Sequence, residues 1–540
     1  MTTPVRRRLG RWMPVTTLVC LLLVGQAVAD KGGFGPLLKP DSFRHYFGEF
    51  VRDEQEMLGV APPLPWGWFL GNIPWLDTPD QELDEIYYFR WYSFQKHIES
   101  TPDGYLITEF LDDVPWAGKF NTIDAAAGHH IREARWLRDS EYVDDYTRFW
   151  FNADGEPRRY SFWGADSVYQ LFLATGDRKL AISLLPALEA NYRAWEATRE
   201  DGLGLFWQID DRDGMEDSIS GNGYRPTINS YMYGNAVAIS RIADMAGMSG
   251  VAATYRTKAV RLHSLIENHI WNPDDQFYET VPRHAASGWS GVRELIGYIP
   301  WYFDIPPPGH DVAWKFLFAS TGFAGKYGPT TAERASPRFR YKVRHECLWN
   351  GPSWPYATTQ TLVALANVLN GSQHSAVTSS DYLHLLGAYV DSQHIRLRDG
   401  RIIPWIDEDL DADTDEWIAR DILMAQHAKP ENRGRYYNHS GFADPIITGL
   451  IGLRPADDNE VTINPLLPPD TWNYFALDGL PYHGHQLTIY YDRDGSRYHR
   501  GAGLHILCDG HAIAKTDGLE RLQGSLKNCD NQPSGSAGER

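Results

Sequence analysis

The sequence predicts a mainly α-helical protein, an (α/α)6 toroid of helical hairpins with a small C-terminal β-module. Two patterns support this fold class. As far as Leu453, stretches about 25 to 35 residues apart place apolar side chains at every third or fourth position, as on one face of a helix. After Pro455 the apolar residues alternate with polar ones, which is typical of strands. We therefore expect a large helical body and a small sheet.

Residues 1–29 have the features of a secretory signal peptide. They contain a charged start, an apolar run and a small-residue cleavage site: Arg6, Arg7, Arg8 and Arg11, then residues 15–24, then Ala27-Val28-Ala29. A membrane anchor is the less favoured alternative, because the apolar run is shorter than the roughly 20 residues that cross a bilayer. We expect a secreted or periplasmic protein that does not bind membranes after cleavage.

Charge and cysteine content restrict the partners and the cross-links. The formal net charge of −19 becomes about −23 when the four signal-peptide arginines are removed. Nucleic acid is not an expected partner, since phosphate binding needs a basic surface. Cys20 leaves with the signal peptide, and the odd number of remaining cysteines allows at most one bridge. Cys508 with Cys529 is the expected pair, and Cys347 is expected to be a buried thiol. The oligomeric state is not predicted.

Residues 30–84 are rich in Pro and Gly. This composition predicts an irregular N-terminal segment. Its aromatic residues Trp66, Trp68 and Trp75 would pack it onto the barrel.

Residues 85–455 are predicted to form the barrel. One helix face is indicated by the series Leu180, Leu184, Leu188, Tyr192 and Trp195, and Pro186 indicates a break or a start within that helix. Short turns such as 174–177 (ATGD) alternate with long polar loops, which predicts paired helices. In a closed ring of six pairs the long loops would gather at one end. The periodicity alone does not distinguish this ring from an α-solenoid.

Residues 456–530 are predicted to form the β-module. Leu487, Ile489 and Tyr491 alternate before the turn Asp494-Gly495, and a second alternating run follows it. Residues 531–540 are predicted to be a disordered tail.

Two acidic clusters are the main chemical feature: residues 210–218 (DDRDGMEDS) and residues 407–417 (DEDLDADTDEW). Glu216 and Glu408, one from each cluster, are separated by 192 positions. Glycosidic bonds are cleaved by two facing carboxyl groups, one donating a proton and one activating water. Loops that converge at one end of a barrel could supply such a pair.

Four local motifs together resemble the six-hairpin glycoside hydrolases. They are DGMEDS at 213–218, RPTINSYMYG at 225–234, ECLWNGPSWPYA at 346–357 and YNHSGFADPIITGLIGL at 437–453. Within that group the chain most resembles the mannosylglycerate-hydrolase-like and trehalase-like proteins related to glycoside hydrolase family 63. The resemblance covers roughly residues 85–455 and rests on the combination of motifs. It implies an inverting glycosidase acting on an oligosaccharide or small glycoside.

The resemblance also suggests the catalytic pair. The family's base loop reads Glu-Asn-Tyr-Asp-Pro-x-Thr-Gly, and residues 408–415 keep its Glu and its fourth-place Asp, which implies that Glu408 is the general base. The family's acid loop reads Gly-x-Asp-(Asn or Asp)-Ser, whereas this chain has Glu216 at the Asp position. Glu216 is therefore the expected acid, with Asp217 as the alternative.

Polar residues among aromatic ones are the expected substrate-binding residues, because a sugar site needs hydrogen-bonding groups beside flat apolar faces. They are Trp116, Lys119, Asn121, His129, His130, Glu133, Trp163, Asp166, Asp211, Arg212, Arg225, Asn229, Tyr233, Trp349, Asn350, Trp354, Asn438 and His439. The His129-His130 pair has the wrong spacing for two zinc ligands on one helix face. With Glu133 it more readily fits a hydrogen-bond cluster at a helix N-terminus.

No cofactor is expected for the chemistry. The spacing of Asp409, Asp411 and Asp413 resembles a calcium loop, but Thr414 and Arg420 stand where that loop needs Gly and Glu, so calcium is a minor alternative. A carbohydrate-binding protein and a lyase or isomerase on the same toroid remain alternative functions, since fold alone does not fix function.

Overall fold

The computed structural model describes residues 35–59, 61–152, 155–283, 288–340, 346–371, 376–427 and 433–530. The predicted signal peptide and the predicted tail lie outside these ranges. No helix in the part of the chain so described combines the length and the hydropathy that a bilayer crossing requires.

Helices dominate the described part of the chain. In order they are α1 (Arg44–Leu58), α2 (Trp66–Asn72), α3 (Gln81–Lys96), α4 (Ala127–Ala134), α5 (Glu141–Asn152), α6 (Gly164–Thr175), α7 (Arg178–Arg199), α8 (Pro226–Met245), α9 (Ser249–His269), α10 (Ile299–Tyr302), α11 (Pro355–Asn370), α12 (Ser379–Asp391), α13 (Ile418–Ala425), α14 (Ala443–Pro445) and α15 (Lys527–Asp530). A π-helical turn, Ile446–Leu450, continues α14.

Six helices form a closed inner ring. α4, α6, α8, α10 and α11 contact one another in that order, and α14 contacts both α11 and α4. Helices such as α7, α9 and α12 alternate with them along the chain and pack outside. The inner helix α11 is buried on nearly all sides, whereas α9 buries one face, as expected for inner and outer positions. The predicted (α/α)6 toroid is confirmed, and ring closure rules out the open solenoid.

The turn between α6 and α7 has the predicted short form. Gly176 has a φ of 73°, and the Asp177 side chain accepts the N–H groups of Lys179 and Leu180 at the start of α7. The break predicted at Pro186 is wrong, since α7 continues through it. Pro186 is exposed, so water can reach the carbonyl that its missing N–H leaves unbonded.

The prediction that residues 30–84 are irregular is wrong for much of this segment. Phe47 and Phe50 are buried on one face of α1, which packs against α3. This helical spacing was overlooked because a neighbouring Pro-rich stretch dominates the composition of the segment. The predicted boundary at residue 84 also falls inside α3, which begins at Gln81.

The four longest strands lie near the C-terminus. The strands are β1 (Trp75–Asp77), β2 (Ile98–Thr101), β3 (Gly104–Ile107), β4 (Gly223–Tyr224), β5 (Trp271–Asn272), β6 (Phe277–Tyr278), β7 (Val281–Pro282), β8 (His394–Arg396), β9 (Ile402–Pro404), β10 (Leu453–Arg454), β11 (Glu460–Ile463), β12 (Tyr474–Tyr482), β13 (His485–Asp492), β14 (Gly503–Cys508), β15 (His511–Thr516) and β16 (Leu522–Ser525).

Two antiparallel sheets form the predicted β-module. One has the order β1-β12-β13-β14-β15, so a strand from the N-terminal segment forms its edge, and the other has the order β10-β11-β16. Leu487 and Ile489 of β13 face Cys508 and Ile506 of β14 in register. The predicted disulfide between Cys508 and Cys529 is confirmed and joins β14 to α15.

Candidate active site

A cavity of about 250 Å³ contains both carboxylates that the sequence singled out. Its lining combines acidic residues, aromatic rings and one arginine. The lining residues are Glu109, Phe110, Trp116, Ile123, Ala125, Tyr160, Asp213, Gly214, Glu216, Glu346, Cys347, Trp349, Trp354, Tyr356, Glu408, Arg433, Tyr437 and His439.

Most of the lining comes from the loops that precede inner helices, and Glu408 comes from the loop before α13. Residues 109–125 lead into α4, residues 213–216 precede α8, residues 346–354 precede α11 and residues 433–439 precede α14. The N-terminal ends of the inner helices thus surround the cavity. This arrangement brings together residues that are far apart in sequence, as predicted for a toroid.

The loop that carries Glu216 is held by a buried ion pair. Asp213 accepts hydrogen bonds from the Arg225 guanidinium and from the Ser161 and Thr227 hydroxyls, and both members of the ion pair are fully buried. Arg225 also donates to Ser218 Oγ at 3.0 Å. The contacts of Arg225 with Asp213 and Ser218 therefore hold this loop in place.

The two predicted acids differ in position. Glu216 lines the cavity and is half-buried, and its backbone carbonyl accepts the Trp349 N–H at 3.1 Å. Asp217 is exposed, has a φ of 59°, and is not among the lining residues. The geometry favours Glu216 over Asp217.

Glu408 is fully buried at the cavity and forms a bidentate ion pair with Arg433. Arg433 Nε and Nη2 donate to the two Glu408 carboxylate oxygens at 2.8 and 3.2 Å, and Nη1 donates to Glu346 at 2.9 Å. Burial alone would lower the pKa of Arg433, but the adjoining Glu408 charge outweighs it and raises that pKa. This bidentate contact orients Glu408 and compensates its charge.

Cys347 carries a reduced thiol beside Glu408. Its Sγ lies 3.4 Å from Glu408 Oε2, and it lines the cavity. Burial, followed by the Glu408 and Glu216 charges, raises the pKa of the Cys347 thiol well above its usual range. The thiol is therefore a poor nucleophile at neutral pH.

Glu109 is a lining residue that sequence reasoning missed. Its side chain is 5% exposed, and one carboxyl oxygen accepts the Tyr437 hydroxyl. Burial, together with the Glu408, Asp124 and Glu216 charges, raises the pKa of Glu109 to about 8 despite the Tyr437 hydrogen bond, which lowers it. No motif marks Glu109 in the sequence. Arg433 and Tyr437 could have been predicted, because they lie shortly before Asn438-His439, which the sequence predicted to bind substrate.

Four of the predicted substrate-binding residues do line the cavity: Trp116, Trp349, Trp354 and His439. The rings of Trp349 and Trp354 stack with centroids 4.7 Å apart. Arg433 lies over the Trp116 ring at 5.0 Å. Flat apolar faces therefore stand beside the carboxylates, as a sugar site requires.

Glu133, His130 and Asn438 are structural instead. Glu133 accepts the N–H groups at the start of α14, so the hydrogen-bond cluster expected at a helix N-terminus is present. His130 contacts Tyr146 and the Asn438 carbonyl, while the Asn438 amide donates to Thr108 O at 3.1 Å. The hydrogen bonds of these side chains hold the loop before α14 in place.

His129 and Trp163 are packed inside the ring. The Trp163 ring lies against Gly128 so closely that a Cβ at that glycine would be 2.2 Å from it. His129 meets Trp163 and Tyr356 edge-on. Neither residue lines the cavity, because the faces that could stack on a sugar are covered by neighbouring helices.

The remaining predicted substrate-binding residues lie elsewhere. Asn121 and Asn229 bind backbone groups, Arg225 is paired with Asp213, and Asn350 is buried outside the lining. Asp166 and Tyr233 line a second cavity, which shares no lining residue with the first. Three charged residues belong to exposed surface: Lys119, Asp211 and Arg212.

The acidic residues after Glu408 organise their own loop. Asp411 accepts the N–H groups of Asp413 and Thr414, and Asp413 pairs with Arg334 at 2.7 Å. Asp409 is buried and accepts the Ala419 N–H at 3.1 Å. These carboxylates are engaged in turn and capping contacts.

The fold agrees with comparisons to known proteins. Residues 119–440 match the mannosylglycerate hydrolase MGH1-like glycoside hydrolase domain, and residues 453–514 match the C-terminal domain of glycosyl hydrolase family 65. A solved structure named as a sialidase is 43% identical with a TM-score of 0.84, covering 90% of this chain and 45% of that chain.

Two more distant solved structures share the fold. A GH63 mannosylglycerate hydrolase from Thermus thermophilus, in complex with Tris and D-glycerate, is 12% identical with a TM-score of 0.50, covering 67% of this chain and 100% of that chain. A GH78 family rhamnosidase of Bacillus sp. GL1 is 13% identical with a TM-score of 0.53, covering 81% of this chain and 41% of that chain.

A curated protein of Borreliella burgdorferi is 26% identical over 165 residues, which are 30% of this chain and 34% of that protein. The chain thus spans less than half the length of this relative and of the sialidase structure. The family match itself covers more than half of the chain and includes both acidic loops. The chain belongs to the mannosylglycerate hydrolase MGH1-like glycoside hydrolase family.

Proposed function

We propose that the protein is an exported, inverting glycosidase that removes a terminal sugar from an oligosaccharide or small glycoside. The observation that carries this proposal is that Glu216 and Glu408, from two distant loops, line one cavity beside tryptophan rings. Export rests on the signal-peptide features of residues 1–29.

The shape of the cavity supports removal of a single sugar. Its volume of about 250 Å³ is at the small end for ligand sites, which usually measure about 300–1,000 Å³. One sugar ring fills such a space, and a longer chain would have to continue outside it. Acidic side chains outnumber basic ones among the described lining residues, which favours an uncharged sugar.

In the proposed mechanism Glu216 protonates the leaving oxygen while Glu408 removes a proton from the attacking water. Arg433 fixes Glu408. Oε2 accepts from both Arg433 and Cys347, whereas Oε1 accepts from Arg433 and keeps a lone pair for that water. Attack from the face opposite the leaving group inverts the anomeric centre. We expect the two carboxyl groups to lie about 6.5–9.5 Å apart, the spacing that leaves room for water.

The test begins with hydrolysis of a panel of aryl glycosides of neutral and charged sugars. Proton NMR of the first-formed product should show an anomeric configuration opposite to that of the substrate. Glu408→Gln should reduce kcat at least about 10²-fold, the low end for loss of a general base, without changing the circular dichroism spectrum. A product with the substrate's own configuration would contradict inversion, and near-normal turnover by Glu408→Gln would remove Glu408 from the mechanism.

A further inference from the structure

One wall of the cavity carries buried polar atoms that have no hydrogen-bond partner among the described residues. They are Glu109 Oε2, the Trp349 indole nitrogen and both ring nitrogens of His439. All three side chains are at most 5% exposed and line the cavity. Buried polar groups are almost always hydrogen-bonded, so each such atom in a cavity indicates a polar ligand or water.

Tyr437 joins Glu109 to His439 on this wall. Its hydroxyl donates to Glu109 Oε1, and its ring stacks on His439 with centroids 3.8 Å apart. The Phe110 ring packs against Tyr437 with centroids 4.7 Å apart. The Glu109 carboxyl is therefore held in one orientation, with Oε1 occupied and Oε2 available.

We propose that Glu109 is a substrate-binding residue whose protonated Oε2 donates a hydrogen bond to a hydroxyl group of an uncharged sugar. This inference rests on the glycosidase function proposed above and adds a residue that neither the motifs nor the family match assigns. Because Oε1 accepts the Tyr437 hydrogen bond, the carboxyl proton resides on Oε2.

The negative charges around Glu109 favour its protonated form. The charges that act most strongly on Glu109 are those of Glu408, Asp124 and Glu216. Four tyrosines, Tyr146, Tyr160, Tyr356 and Tyr437, also interact with it, and Arg433 and His439 line the same cavity. Ionised Glu109 would add a further negative charge to the wall and could only accept hydrogen bonds. With its pKa raised to about 8, Glu109 is protonated at pH 6 and ionised at pH 9.5. Sugar binding should therefore weaken as the pH rises through about 8.

The experiment measures binding without requiring turnover. Free neutral pentoses and hexoses, with glucuronic and N-acetylneuraminic acids for comparison, are titrated into the full-length protein by calorimetry at pH 6 and pH 9.5. We expect a neutral sugar to bind best at pH 6 and at least about 10-fold more weakly at pH 9.5.

Three variants test whether Glu109 is the group that makes sugar binding depend on pH. Glu109→Ala should lose at least about 10-fold in affinity at pH 6, since a buried donor is removed. Glu109→Gln keeps a neutral donor of the same shape, so it should lose at most about threefold and show little dependence on pH. Tyr437→Phe should fall between them, because Glu109 stays but is no longer oriented.

The inference is overturned if Glu109→Ala binds the sugar as wild type does, if Glu109→Gln keeps the full pH dependence, or if no neutral sugar binds. A purely structural role would lower the thermal midpoint of the variants without changing sugar affinity. If wild type binds and cleaves but Glu109 has no effect, only this inference fails. If wild type neither binds nor cleaves any sugar, the proposed function fails as well.

Discussion

At the scale of single residues, the position of the acid can be tested by leaving-group dependence. Glu216 lines the cavity and Asp217 does not. Glu216→Gln should therefore slow substrates with poor leaving groups by about 10²-fold or more, while activated aryl glycosides, which need little protonation, lose far less. Asp217→Asn is the matched control. If Asp217→Asn shows this dependence and Glu216→Gln does not, the acid lies one residue later.

Residue identities were only partly predictable from the sequence. The acidic clusters and the family motifs led to Glu216 and Glu408, because carboxyl chemistry is distinctive and both lie in marked loops. Glu109 carries no such mark, and its environment is created by Tyr437, which lies 328 positions away. Conversely, Arg225 and Asn229 are residue types expected in a sugar site, but their side chains form contacts that hold the fold together. A side chain's partners depend on tertiary contacts that a single sequence does not show.

At the scale of elements, the segment 346–354 connects the two catalytic loops. Trp349 N–H donates to the Glu216 carbonyl, and Ser353 exchanges backbone hydrogen bonds with Leu410 at 2.9 and 3.0 Å. The loops that carry the proposed acid and base are therefore held to one common segment.

The buried ion pair in the acid loop provides a prediction at this scale. Arg225→Met leaves Asp213 buried without its cation, so the free energy of unfolding should fall by about 3–5 kcal/mol. The double variant Asp213→Asn/Arg225→Met removes that charge and should recover part of the loss. Urea unfolding followed by circular dichroism measures both. Wild-type stability of Arg225→Met would show that the pair does not hold the loop.

The element pattern itself was largely predictable. Helical and strand periodicities identified the toroid and the β-module, because both have large buried faces. The helix α1 was missed because a neighbouring Pro-rich stretch dominates the composition of its segment, and Pro186 was misread because its solvent-facing position is not visible in the sequence.

At the scale of the whole molecule, the disulfide fixes the end of the β-module. Replacing Cys508 and Cys529 by Ser should lower the free energy of unfolding by about 2–4 kcal/mol, because the unfolded chain regains loop freedom. Catalysis should be retained, since neither cysteine lines the cavity. Mass spectrometry of wild type should show one linked peptide pair and one alkylatable thiol at Cys347. Three alkylatable thiols would contradict the bridge.

The edge strand β1 has a consequence for how this protein can be divided. Residues 75–77, which precede the ring, pair with β12, which follows it, so the hydrogen bonds of one sheet depend on both ends of the chain. A fragment ending at residue 455 would leave β1 without its partner and uncover the apolar side chains that β12 buries. The barrel and the sheet should therefore melt in one calorimetric transition. For protein engineering, the module to transplant between fusion proteins is the whole span from α1 to α15.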